Sequence, residues 1–303
     1  MNTIYQFKRK LLSAVGISVV LFAIGGCSEP QTQQPKQPEG AAEATSAQAP
    51  QISVQLYSVK DSLKADFKGT LEQIANLGFD GVEFAGDFGP YAEDPEGLKD
   101  YLASIGLQAS GAHVGIDQLK DNFDNTTDFY KKLGASWLII PWDDRAFNGD
   151  DVKAVAEDLS ALAEKLKPLD MQVGFHNHAQ EWQDYGDASY LEYLAENTPK
   201  SVILQQDVGW TIDAGEDPIA FVKHYPGRTL TTHFKSDVAE DSQYVPIIGK
   251  DNIDWKAVYT ATITDGGAKW IVIEQEEYPN GLSPMEALTQ SKAGFDGIIK
   301  SAR

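Results

Sequence analysis

Cysteine is nearly absent from this 303-residue chain: Cys27 stands alone, so no internal disulfide can form. Positive charge is also scarce. Against 45 acidic residues there are 25 basic ones, a formal net charge of -20 that excludes nucleic acid, or an anionic membrane surface, as a partner of the body of the protein. Histidine numbers five in the whole chain, so each can be asked what it does. The longest apolar stretch near the start, Leu11 to Ile24, falls short of the roughly 20 residues a spanning helix needs. No glycine-rich phosphate turn follows the first strand-like segment, where Tyr57-Ser-Val-Lys60 stands instead. That speaks against a nucleotide cofactor and an open dinucleotide-binding sheet.

The chain begins with a basic segment, Lys8-Arg-Lys10, then the apolar stretch, then Ile24-Gly-Gly-Cys27. This is the order of an export leader, and it resembles a bacterial lipoprotein signal, in which Cys27 would be the lipidated new N-terminus. By that resemblance residues 1–27 are a signal with lipidated Cys27, and the protein is anchored in the cell envelope. Ser28 lacks the aspartate that marks inner-membrane retention, which points to the outer membrane, facing the periplasm. The leader holds three basic and no acidic residues, so its loss takes the charge from -20 to -23. Residues 28–50, rich in Gln, Pro, Ala and Glu without hydrophobic period, read as a flexible tether.

From residue 51 short β-branched or aromatic runs alternate with amphipathic stretches of helical period, the mark of repeated βα units. Strands are expected at 52–57, 81–84, 107–113, 137–141, around Val173 and Phe175, at 201–207, 229–234 and 270–274. Helices are expected near 66–77, 95–105, 123–133, 151–167, 188–197 and 284–299, three of them closed by Gly78, Gly106 and Gly134. Eight such units in about 250 residues give a single-domain (β/α)8 barrel, a TIM barrel, over 51–303. Its active site belongs at the C-terminal ends of the strands.

Those ends read Glu83, His113, Trp142, His176 to Glu181, Asp207, His233 with Lys235 and Asp237, and Glu274 with Glu276. Ligand types on successive strand ends are too frequent for coincidence, although any one of them alone is more often a hydrogen-bonded or solvated side chain. A mixed carboxylate and imidazole shell suits one divalent ion. With two Glu, one Asp and one His the expected ion is Mn²⁺, with Mg²⁺, Co²⁺ or Zn²⁺ as alternatives.

The segments Gly81-Val-Glu-Phe-Ala-Gly86, Ala112-His-Val-Gly115, His176-Asn-His-Ala-Gln-Glu-Trp182, Asp207-Val-Gly-Trp210, His233-Phe-Lys-Ser-Asp237 and Glu274-Gln-Glu-Glu277 resemble the sugar phosphate isomerase/epimerase family, the xylose-isomerase-like barrels. The resemblance implies a metal held by Asp207, His233, Glu274 and a residue from the fifth strand region. That last ligand is Glu181 or, alternatively, His176, which stands where many relatives carry Glu. It also implies proton transfer next to a sugar carbonyl through an ene-diolate, hence an isomerase or epimerase, or a lyase or dehydratase of a 3-keto-glycoside or inosose-like substrate. His113 and His178 are the candidate base and acid, Glu83 an orienting group, and Lys235 a holder of a substrate oxygen. Trp142, Trp210 and His176 are candidate substrate contacts, and His224 has no assigned role.

A phosphate on the sugar is not expected, because the acidic chain shows no helix-start nest to hold one and its leader places it where sugar phosphates are scarce. Two other readings compete. An abasic-site endonuclease shares this superfamily but needs a basic groove. A non-catalytic sugar-binding lipoprotein would retain the metal site without turnover.

Overall fold

The computed structural model describes residues 49–239 and 242–302. The expected leader, the lipidation at Cys27 and all of the expected tether except residues 49 and 50 lie outside them. Eight parallel strands follow one another around a barrel: β1 Gln51–Gln55, β2 Gly81–Phe84, β3 Gln108–His113, β4 Trp137–Ile140, β5 Gln172–His176, β6 Ile203–Gln205, β7 Thr231–Lys235 and β8 Trp270–Glu274. β1 pairs with both β2 and β8, so the sheet curls round on itself. The last gap, between β6 and β7, is closed by a parallel bridge of Asp207 with His233 and by His233 N–H donating to the Gln206 carbonyl at 2.8 Å. Among the described residues no helix is long and apolar enough to cross a membrane.

Alternation along each strand divides the side chains between two surroundings. Val54, Val82, Phe84, Leu138, Ile140, Val173, Phe175, Leu204, Phe234, Ile271 and Ile273 are buried in one apolar cluster with the helices. The intervening positions turn into the barrel. Its upper interior is polar, with Gln55, Glu83, Gln205, His233 and Glu274 all buried. The helices start where acidic residues cap them: Asp66 accepts from Gly69 N–H and Asp94 from Gly97 N–H.

Three expectations shift. β1 stops at Gln55 because the Gln55 side chain accepts from Tyr57 N–H and turns the chain into a 3₁₀ segment, leaving Tyr57 exposed. β6 is shorter than 201–207, since Gln206 N–H folds back to the Leu204 carbonyl. Helices at Pro218–His224 and Trp255–Thr264 were not anticipated. The second carries Thr260, Thr262, Ile263 and Thr264, β-branched residues that blur a helical pattern.

Gly174 shows how tightly the interior is filled. A Cβ there would lie 2.5 Å from Ile139 Cδ1 and 2.9 Å from Ile203 Cβ. Gly174→Ala should therefore lower unfolding stability by about 1–3 kcal/mol, the usual cost of overpacking, read as an earlier urea midpoint.

Candidate active site

The polar upper interior is built around Glu83. Its Oε2 accepts from Gln55 Nε2 at 2.9 Å and from His233 Nε2 at 2.6 Å, its Oε1 accepts from Gln205 Nε2 at 2.7 Å, and His113 Nε2 lies 3.3 Å from Oε2. Burial works to raise this carboxyl, but His233, His113 and the hydrogen bonds hold it below the usual carboxylate value. So many donors leave Glu83 little freedom to take a proton from a substrate. It is placed to orient His233.

The other nitrogen of His233, Nδ1, faces Glu274 Oε2 at 3.0 Å and Asp207 Oδ2 at 4.0 Å. Burial alone would lower His233, yet Glu274 and Glu83 on either side raise it to about 10. His176 Nε2 lies 4.0 Å from the same Asp207 Oδ2. One ligand atom from each of His176, Asp207, His233 and Glu274 falls within 4.8 Å of all the others. Asp207 divides its work: Oδ1 accepts from Trp210 N–H at 2.8 Å, capping the turn of helix that follows, while buried Oδ2 has no hydrogen-bond partner. An ionised oxygen is rarely buried unpaired. Two imidazoles and two carboxylates converging on such an atom fit a divalent ion, with Glu83 behind His233 as the outer carboxylate that metal-bound histidines usually have. Burial raises Asp207, whereas His233 and Lys235 hold Glu274 below its ordinary value despite burial.

Glu181 is not among the four. Its carboxylate turns back on its own loop and accepts from His178 N–H at 2.8 Å, and burial pushes it up to about 7. The fifth-strand position in the cluster is His176. The preference for Mn²⁺ leaned on three carboxylates; with two carboxylates and two imidazoles, Zn²⁺ and Co²⁺ are served as well as Mn²⁺.

His113, His176, His178, Trp142, Trp210 and Glu274 line a single cavity of about 440 Å³, with Tyr57, Gly86 and Glu276. Burial pushes His113 and His176 below the ordinary imidazole value and takes His178 to about 4, so all three are neutral at pH 7. Lys235 stays charged: burial lowers it, but Asp207, Glu274 and Glu276 raise it more. Its ammonium pairs with Glu276 and sits 3.7 Å from the Trp210 ring centre. Trp142 is half-exposed at the rim, yet fixed by a 2.7 Å bond from Nε1 to Asp144 and an edge contact with His178. His224 packs on Tyr225 and takes no part in the cavity lining. Gln55, Gln205 and Tyr57 were missed by the sequence reading. Neither glutamine titrates nor is a usual metal ligand; only their inward register on β1 and β6 could have pointed to them.

In a TIM barrel the C-terminal ends of the strands are where active sites lie, and the histidines and carboxylates that converge there could hold a divalent ion. A sequence profile of the xylose isomerase-like TIM barrel matches residues 71–298, and the chain belongs to that family. An inosose dehydratase of Lacticaseibacillus casei is 23% identical over 273 residues, covering 77% of this chain and 90% of the relative. The crystal structure of a sugar phosphate isomerase/epimerase from Parabacteroides distasonis aligns with a TM-score of 0.70 at 24% identity, over 86% of this chain and 99% of the other. The structure of an IOLI protein with a bound zinc atom aligns with a TM-score of 0.64 at 14% identity, over 84% and 99% of the two chains. Members of the family are enzymes.

Ion binding should need the proton on His233 to leave, and Asp207 to be ionised, so protons compete with the ion and affinity rises with pH. The His233 proton alone makes this about tenfold per pH unit below pH 10. Calorimetric titration with Zn²⁺ or Mn²⁺ from pH 6 to 9 should show that slope. Asp207→Asn and Glu274→Gln should abolish binding and Glu181→Gln should keep it. Binding that survives in both of the first two variants would refute the cluster.

Proposed function

We propose that this chain is a divalent-metal-dependent enzyme that removes a proton from a carbon next to a carbonyl of an unphosphorylated sugar or keto-sugar, and so isomerises or epimerises it. The observation that carries the reading is the unpaired Asp207 oxygen in a His₂-carboxylate₂ cluster on the floor of a cavity that also holds neutral His113 and His178. His176, Asp207, His233 and Glu274 would hold the ion, which when bound supplies Lewis acidity to a carbonyl and its neighbouring hydroxyl. His113 and His178, kept neutral by burial, are able to accept a proton from carbon. Charged Lys235 is able to donate a hydrogen bond to a substrate oxygen that gains negative charge. Trp142 and Trp210 offer apolar faces to a sugar ring.

The cavity favours a substrate without phosphate: Glu274 and Glu276 are on its wall, and Lys235 beside it is already paired with Glu276. Dehydration is the second reading. It shares the first proton transfer, and the inosose dehydratase relatives support it. We also propose that the protein works in the cell envelope, anchored by lipid on Cys27. Fractionation tests this: Cys27→Ser should leave the membrane fraction.

The reaction is tested by incubating the protein with Mn²⁺ or Zn²⁺ in D₂O with free sugars, inososes, keto-glycosides and sugar phosphates. Deuterium should enter carbons next to a carbonyl in an unphosphorylated compound, and His113→Ala should slow that exchange by about 10²-fold or more. Loss of water or of an aglycone, seen by mass, would select the dehydratase or lyase. Exchange confined to phosphates would refute the substrate class. Tight sugar binding without exchange would leave a binding protein.

A further inference from the structure

Gln205 is fully buried at the end of β6 and has entered no step above. Its amide meets four groups. Oε1 lies 2.9 Å from His113 Nε2 and 3.2 Å from His176 Nδ1; Nε2 lies 2.7 Å from Glu83 Oε1 and 3.2 Å from Thr231 Oγ1. The two ends of an amide have the same shape, so chemistry must decide which faces which. Glu83 decides it. An ionised carboxylate only accepts, so the amide nitrogen must face Glu83 and the carbonyl oxygen must face the two imidazoles. A carbonyl also only accepts, so both facing nitrogens must carry hydrogen. A neutral imidazole has one N–H, which leaves the lone pairs on Nδ1 of His113 and Nε2 of His176.

Those are useful places for them. His176 Nε2 is the atom that points toward Asp207 Oδ2 in the ligand cluster, and His113 lines the cavity. We infer that Gln205 is a positioning residue that imposes opposite tautomers on His113 and His176, aiming one lone pair at the divalent ion and the other at the substrate. The use of the His113 lone pair rests on the proton-transfer reading; the tautomers themselves do not.

The test is a long-range ¹H–¹⁵N correlation spectrum of the ¹⁵N-labelled, full-length, chelator-treated protein, with His113→Phe and His176→Phe used for assignment. The expected spectrum has His113 protonated on Nε2 and His176 on Nδ1. The second is the sharper result, because an unconstrained imidazole prefers Nε2–H. His176 on Nε2, His113 on Nδ1, or a mixture would overturn the inference, with no variant needed. Gln205→Leu, which keeps bulk and removes both polar ends, should scramble the His176 tautomer and weaken Zn²⁺ or Mn²⁺ binding about 10–100-fold, the usual effect of losing an outer-shell partner. A folded Gln205→Leu protein with unchanged tautomers and unchanged ion affinity would also overturn it. The expected tautomers together with no deuterium exchange on any substrate would sink the proton-transfer reading and leave this assignment standing.

Discussion

A carboxylate placed inside a barrel must be surrounded by donors, and Glu83 is the group whose satisfaction organises the site. Stripping an ion of water costs several kcal/mol unless charge and hydrogen bonds replace it. Here Gln55, Gln205 and His233 donate to it and His113 stands beside it. These partners come from β1, β6, β7 and β3, so one buried charge ties together strands from around the barrel. Removing any donor would leave part of that charge bare. The same demand fixes the orientation of the His233 ring and of the Gln205 amide.

Barrel closure then supplies the second constraint. The β6–β7 seam is the thinnest, made by the bridge of Asp207 with His233 and the bond from His233 N–H to the Gln206 carbonyl. The seam that finishes the sheet therefore also sets two candidate ligand side chains next to each other. Asp207 sits where β6 turns into the short helix Val208–Asp213, so one of its oxygens satisfies that helix start and the other is left over. A buried, unpartnered carboxylate oxygen costs about 1–3 kcal/mol. A cation meets that cost, and Lys235 and His233 are the protein groups whose positive charge favours the ionised Asp207.

Electrostatics separates the histidines by surroundings. His233, between two carboxylates, keeps an extra proton; His113, His176 and His178 are pushed toward neutrality first by burial and then by neighbouring imidazoles, with Lys235 adding to the effect at His176 and His178. Identical side chains in one cluster thus differ in protonation, one able to bind an ion only after losing a proton and the others already able to accept one.

Much of this was legible in the chain itself. The period of apolar residues determined the eight strands and most of the helices between them, because parallel strands buried on both faces must read as apolar runs and helices over them as stripes. That frame alone placed Glu83, His113, His176, Asp207, His233 and Glu274 at strand ends, where a barrel collects its chemistry. What the order of residues could not show was which side chains meet across the barrel. Glu181 and His176 lie five residues apart in one loop-forming segment, and only the backbone turn that sends Glu181 to the His178 N–H leaves His176 in the cluster. Gln205 was invisible for a similar reason: its role depends on contacts 29, 92 and 122 residues away in sequence. Periodicity is a local property written into neighbours along the chain, whereas hydrogen-bond partners and tautomers depend on distances of a few ångströms that exist only once the barrel has closed.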